Sequence, residues 1–233
     1  MCVVSSPTYL PIADLPAFLS RSPPVPFTVY DYRNPDHIRN LLVTPEMRSR
    51  LLKIEPGQGF NTRHSHDLGH EVFLILQGTA EFEIEGDVQT VETGQLCFAV
   101  TDEAHSVRVV GDTPVIMYLS VTPHILPTHT GRSAEGEPKP INFSPASSYD
   151  VELDTGLTRE SRVSRHRSAI DSLGTAAADL VKNHADALNR LSESDSPEEI
   201  REEMWKDVYK VFKSVSELGD SWNDLAYTLG SEK

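Results

Sequence analysis

The segment "RHSHDLGHE", Arg63 to Glu71, holds His64, His66, His70 and Glu71 within eight residues. Imidazole nitrogens and a carboxylate are ligand types that divalent transition metals take. Side chains alternate along a strand, so His64 and His66 would share a face and could reach one ion. His66 and His70 are four apart and would share a face only on a helix. Gly69 and the β-rich "EVFLIL" that follows oppose a helix there. The strand reading has His64 and His66 end one strand and "DLG" turn. Glu71 then opens the next strand, and a hairpin returns it to His66. His70 then faces away, in a surface or supporting role. "TDEAHSV" offers a fourth ligand, His105, at the start of another short strand.

The elements that must position these groups follow from the surrounding pattern. From Met47 to Val121, short apolar or alternating runs are separated by turn signals. "SRLLKIEPGQG" reads as a strand ending in a Pro-Gly turn, and "EVFLILQG" as one stopped by Gly78. "TAEFEIEGD" alternates, with Ala80, Phe82 and Ile84 on one face, and Gly86-Asp87 suits a tight hairpin turn. "QLCFAV", "HSVRVV" and "VIMYLSV" continue the series. Many short strands with regular turns predict a β-sandwich or barrel.

The histidine segment resembles the first motif of the cupin superfamily. "PGQGFNTRHSHDLGHEVFLILQG" supplies His64, His66, Glu71 and Gly78 at fitting spacings, with Gln58 where the leading glycine is expected. "GDVQTVETG" resembles the second motif through Gly86 and Gly94, with Glu92 where proline is usual; His105 fits the following histidine, and Arg108 stands where asparagine is often found. The resemblance covers about 47–121, a third of the chain. It implies a mainly β fold, a double-stranded β-helix or jelly-roll cupin barrel. It also implies one divalent metal held by His64, His66, Glu71 and His105 in the barrel mouth. Three histidines and a glutamate resemble the site of cupin dioxygenases, which favours Fe(II), with Mn, Ni or Zn as alternatives. The same set serves decarboxylases and isomerases. By alternation, Phe73 and Ile75 share the Glu71 face and Val107 and Val109 share the His105 face, giving the pocket apolar walls. No general base beyond the ligands stands out.

Around the barrel, residues 1–46 read as an N-terminal extension. A short helical turn is expected in "IADLPAFL" and an edge strand at Phe27 to Tyr32. Residues 47–125 are the barrel, and 126–156 a Pro-, Gly- and Ser-rich loop that either wraps the barrel or links domains. His124 and His129, beyond the last strand, are read as solvated, though either could line the mouth. Residues 157–233 read as a C-terminal α-helical hairpin. Ile170, Leu173, Ala177, Leu180, His184, Ala187 and Leu191 recur at gaps of three and four, as do Met204, Val208, Val211, Val215, Leu218, Trp222, Leu225 and Leu229. Ser196, Pro197 and Glu199 mark a helix start. "RESRVSRHR" reads as a solvated face with internal ion pairs.

The formal charge of −14 argues against nucleic acid and anionic membranes as partners. No run is long and apolar enough to span a bilayer. Cys2 and Cys97 suggest no disulfide framework, so a reducing, cytoplasmic setting is expected, with Cys97 a small buried apolar residue. Val72, Leu74 and Leu76 make the Glu71 strand apolar on both faces. That need for cover, with the helix pair, predicts a homodimer. Two functions compete: a metal-dependent enzyme acting on a small molecule, and a small-molecule sensor without turnover. A third, a storage or assembly scaffold, needs no metal.

Overall fold

The computed structural model describes residues 27–193 and 196–229. The fold is built by the unit Tyr32–Lys233. Among the described residues its ten strands, in chain order, are β1 (Asn40–Val43), β2 (Arg48–Ile54), β3 (Gly59–Ser65), β4 (His70–Gln77), β5 (Thr79–Ile84), β6 (Asp87–Glu92), β7 (Leu96–Ala99), β8 (His105–Val109), β9 (Val115–Thr122) and β10 (Thr130–Gly131). They form two antiparallel five-stranded sheets, ordered β1-β2-β9-β4-β7 and β10-β3-β8-β5-β6. This is a double-sheet jelly roll: the turn and strand pattern predicts a sandwich or barrel, and the family resemblance implies the jelly roll.

Alternation decides which side chains fill the barrel. Along β4, Glu71, Phe73 and Ile75 are buried, whereas Val72 and Leu74 are only half-buried. The register sets Phe73 opposite Leu119 and Ile75 opposite Met117 on β9. Phe82 and Val107 face them from the second sheet and complete one apolar core. Each such buried side chain contributes on the order of 1.5–3 kcal/mol. The core closes one end of the barrel and leaves the charged inner residues at the other.

Three local expectations change. The turn between β5 and β6 is Glu85-Gly86, one residue earlier than the glycine suggests, because Ile84 pairs with Asp87. Both turn residues have positive φ, 50° and 85°, as a two-residue hairpin requires. β3 and β4 are not a hairpin: they lie in different sheets, and "DLG" carries the chain from one to the other. Gly69 permits that crossing, since a Cβ there would stand 2.9 Å from the Pro123 carbonyl oxygen. Residues 27–31 form no strand, so the edge strand expected at Phe27 to Tyr32 is absent. β1 takes the edge instead. The turn expected in "IADLPAFL" lies outside the described residues, as does Cys2.

Residues 123–158 wrap rather than trail. β10 adds to the edge of the second sheet, with Thr130 opposite Ser65 and Gly131 opposite His64. A 3₁₀ turn, Ala146–Tyr149, buries Tyr149. The helices α1 (Arg159–Glu193) and α2 (Pro197–Leu229) pack on each other, and α2 begins at the expected proline. The end of α2 clamps the wrap. Asn223 accepts from the Leu126 amide at 2.9 Å and donates to the His124 carbonyl at 2.8 Å. Leu126, Ala146, Tyr149, Ala226 and Tyr227 form a second core. Part of "RESRVSRHR" is therefore not solvated. Arg162 is buried, pairs with Asp224 of α2 at 3.1 Å, and donates to the carbonyls of Asp154 and Leu157. Among the described residues, no helix is long and apolar enough to cross a membrane.

Candidate metal centre

The four predicted ligands meet inside the barrel mouth. One ligand atom from each of His64, His66, Glu71 and His105 lies within 4.8 Å of the others. β3 and β8 pair His64 directly opposite His105, so both rings enter from the same sheet. His66 lies one residue past β3, and Glu71 reaches in from β4 of the facing sheet. Glu71 Oε2 stands 3.9 Å from His64 Nε2, 2.9 Å from His66 Nε2 and 3.0 Å from His105 Nε2.

The outward ring nitrogens fix which atom faces the centre. Each Nδ1 meets a backbone carbonyl: His64 that of Thr62 at 3.1 Å, His66 that of Thr128 at 2.5 Å, His105 that of Glu103 at 2.9 Å. A carbonyl oxygen only accepts, so each Nδ1 carries the hydrogen, and each ring when neutral turns a bare Nε2 inward. Bare nitrogens beside a carboxylate oxygen repel unless a cation, a proton or a metal, lies between them. Two ligands about 2.1 Å from an ion and at right angles sit about 3.0 Å apart. The donor set and its spacing therefore fit a divalent metal.

The surroundings set the charges. Burial opposes ionisation of Glu71, but hydrogen bonds to His105 and His66 outweigh it and hold its carboxyl well below the usual range. Burial likewise opposes protonation of His105, and the Glu71 carboxylate outweighs it, raising His105. His64 is pushed down to about 4, first by burial and then by the charge of His105.

A family model described as "Cupin domain" matches residues 50–122. Residues 50–122 form a cupin domain. No curated protein matches the chain. Among solved structures, similar chains include a protein with a double-stranded β-helix domain from Klebsiella pneumoniae, at 21% identity over 41% of this chain and 89% of that one, TM-score 0.38. A cupin protein from Bacteroides fragilis is 19% identical over 34% and 66%, TM-score 0.32. A Bacillus halodurans protein is 19% identical over 46% and 89%, TM-score 0.39.

The cupin barrel opens beside His64, Glu71 and His105 as a cavity of about 200 Å³. Phe73 and Val107 line it as alternation predicts. Ile75 shares their face but is wholly buried deeper in the core, and Val109 packs against that core, so neither reaches the cavity. His70 is exposed and accepts from the Thr101 amide at 3.0 Å, facing away as expected. Cys97 is free, and burial pushes its thiol up to about 11, which suits a packing role.

His124 and His129 are not solvated, because the wrap lies over the barrel. His129 lines the cavity, with its ring 5.0 Å from that of His64 and 4.8 Å from that of His66. Its Nδ1 lies 3.4 Å from the Tyr149 hydroxyl. Burial first, then the nearby charges of His66 and His64, hold it well below its usual range, so it enters the cavity as a neutral hydrogen-bonding ring. Arg48, Arg50 and Tyr149 also line the cavity. The two arginines escaped the sequence reading although Arg48, Arg50, Leu52 and Ile54 alternate onto one strand face. Charged residues in register with core positions were the signal. Tyr149 and His129 carry no local signal, because the wrap brings them in from a distance.

Proposed function

We propose that the chain is a metal-dependent cupin enzyme, of the dioxygenase type, acting on a small organic molecule. The observation that supports this reading is the convergence of three inward Nε2 atoms and one carboxylate beside a small cavity. His64, His66, Glu71 and His105 would hold one ion; the mixed nitrogen and oxygen set suits Fe(II), Mn, Ni or Zn, and the likeness to cupin dioxygenase sites favours Fe(II). A bound metal would supply a Lewis-acidic, oxygen-activating centre with open positions. The chain's own residues do the rest. Carbonyls of Thr62, Thr128 and Glu103 orient the imidazoles. Arg48, 3.7 Å from Glu71 Oε1, steadies the carboxylate. Phe73, Val107, Met117 and Leu119 keep water from a bound molecule, and His129 offers it a neutral ring.

The outer face of the first sheet supports a homodimer. Leu42, Leu96 and Phe98 are exposed there beside the half-buried Val72, Leu74 and Leu76. A free Cys97 is consistent with a cytoplasmic setting.

Oxygen uptake by the Fe(II)-loaded protein against phenolic, thiol and keto-acid substrates tests the reaction. Substrate-dependent uptake that His66→Ala abolishes is expected. A loaded protein that binds small molecules yet consumes no oxygen with any of them would point to a sensor, decarboxylase or isomerase instead.

A further inference from the structure

We propose that Arg48 and Arg50 form a carboxylate-binding site, so that the molecule taken into the cupin cavity is a small organic acid. The proposal rests on the metal-centre reading only in taking this cavity as the functional one.

Both arginines project from β2 onto the inner face, Arg48 opposite Val121 and Arg50 opposite Leu119. The neighbouring inward positions, Leu52 and Ile54, are core. Arg48 is 3% exposed, with its guanidinium 5.3 Å above the Tyr149 ring. Its nearest carboxylate oxygen, Glu71 Oε1, is 3.7 Å away, beyond hydrogen-bonding distance. The Nε atoms of Arg48 and Arg50 are both buried without a partner. Among the described residues Arg50 has no ion pair. Asp150, whose charge reaches Arg50, has its Oδ2 taken by the amide and side chain of Asn40, at 2.9 and 3.0 Å.

Two adjacent guanidinium groups on an inner barrel face, left without ion-paired hydrogen bonds, are costly. The chain is rich in acid, with 35 aspartates and glutamates against 21 lysines and arginines, yet among the described residues it places no carboxylate within hydrogen-bonding distance of either arginine. A role in steadying Glu71 accounts for Arg48 but not for Arg50, which is free to present its planar fork to a ligand. That fork matches one carboxylate in a bidentate pair. A phosphate would fit the same fork, so inorganic phosphate is the competing probe. Leu52, Phe73, Val107, Met117 and Leu119 give the cavity an apolar wall, beside the hydroxyls of Ser106, Ser144 and Ser148. The cavity lies below the ~300 Å³ at which drug-sized pockets begin. Together these features select a monocarboxylate with a short apolar body.

Isothermal titration of the full-length protein, as purified and after chelator treatment, tests the site. The probes are benzoate and isovalerate, their neutral amides, and inorganic phosphate. At least one carboxylate is expected to bind about tenfold or more tighter than its amide. Arg50→Gln should remove that preference while leaving the metal content unchanged, because Arg50 is no ligand. Arg50→Lys keeps the charge but loses the fork, and should weaken carboxylate binding while retaining some preference. If Arg50→Gln does not fold, the acid-to-amide ratio in the wild type and in Arg50→Lys decides. Equal binding of acids and amides, carboxylate affinity indifferent to Arg50, or Arg50-dependent binding of phosphate alone would each overturn the proposal. Arg50-dependent acid binding in a protein that takes up no metal would leave this site standing and remove the metal reading.

Discussion

His124 has no exposed surface, and neither ring nitrogen has a hydrogen-bond partner. Burial first, then the charges of Arg48 and His66, push it down to about 3. It is therefore neutral in the fold, while the unfolded chain protonates near pH 6.5. Between about pH 6.5 and 3 the unfolded state binds more protons. Stability is thus full above the unfolded value and is lost as pH falls through that window. His64, pushed down to about 4, adds to the same slope. His124→Leu removes two orphaned polar atoms and should leave stability at pH 7 unchanged or higher by about 1 kcal/mol. It should also flatten, without abolishing, the fall between pH 6.5 and 4 in urea unfolding; an unchanged slope would contradict a buried neutral His124. At this scale the ligands were legible because their spacing is local. His64 and His66 are two apart, and Glu71 opens the next apolar run. The burial of His124 was not, since nothing in "TPHILPTH" shows that a helix nearly a hundred residues later covers it.

The helical hairpin reaches the site through the wrap. Asn223 of α2 holds the backbone at His124 and Leu126, and the Thr128 carbonyl, two residues on, orients His66. Asn223→Ala leaves a backbone donor and an acceptor unpaired, at a cost of about 2 kcal/mol or more. By loosening the His66 tether it should also weaken metal binding about tenfold. Asn183→Ala, which breaks the 2.8 Å bond to Asp207 within the hairpin, should leave metal affinity unchanged. Melting curves and competitive metal titration of the two variants check this. An equal loss of affinity in both would break the link from hairpin to site. The helices were legible from their three-and-four spacing, and the cap at Pro197 from its own residues. Their docking place was not, because it depends on a side chain meeting a backbone 97 residues away. β10 is too short, at two residues, to leave a pattern.

The whole molecule carries a charge of −14, a barrel with positively charged walls at its mouth, and an apolar outer sheet face. Phe98 and Leu96 are 57% and 55% exposed on that face; in light scattering the wild type is expected to run as a dimer, and the double variant Leu96→Glu, Phe98→Glu as a monomer with the barrel still folded. A variant that stays dimeric would move the interface to the hairpin, where Trp205 and Phe212 are exposed. The two-sheet barrel was legible in outline because alternation survives in β4 and β5. The passage of the chain between sheets at "DLG" was not, since a crossing and a hairpin use the same turn residues. Elemental analysis of the folded full-length protein, supplied with Fe(II) and dialysed, tests the central claim most directly. About one metal per chain is expected for the wild type, falling at least tenfold in His66→Ala and Glu71→Gln. A folded wild type that retains no metal, or variants that retain all of it, would contradict a metal centre at His64, His66, Glu71 and His105.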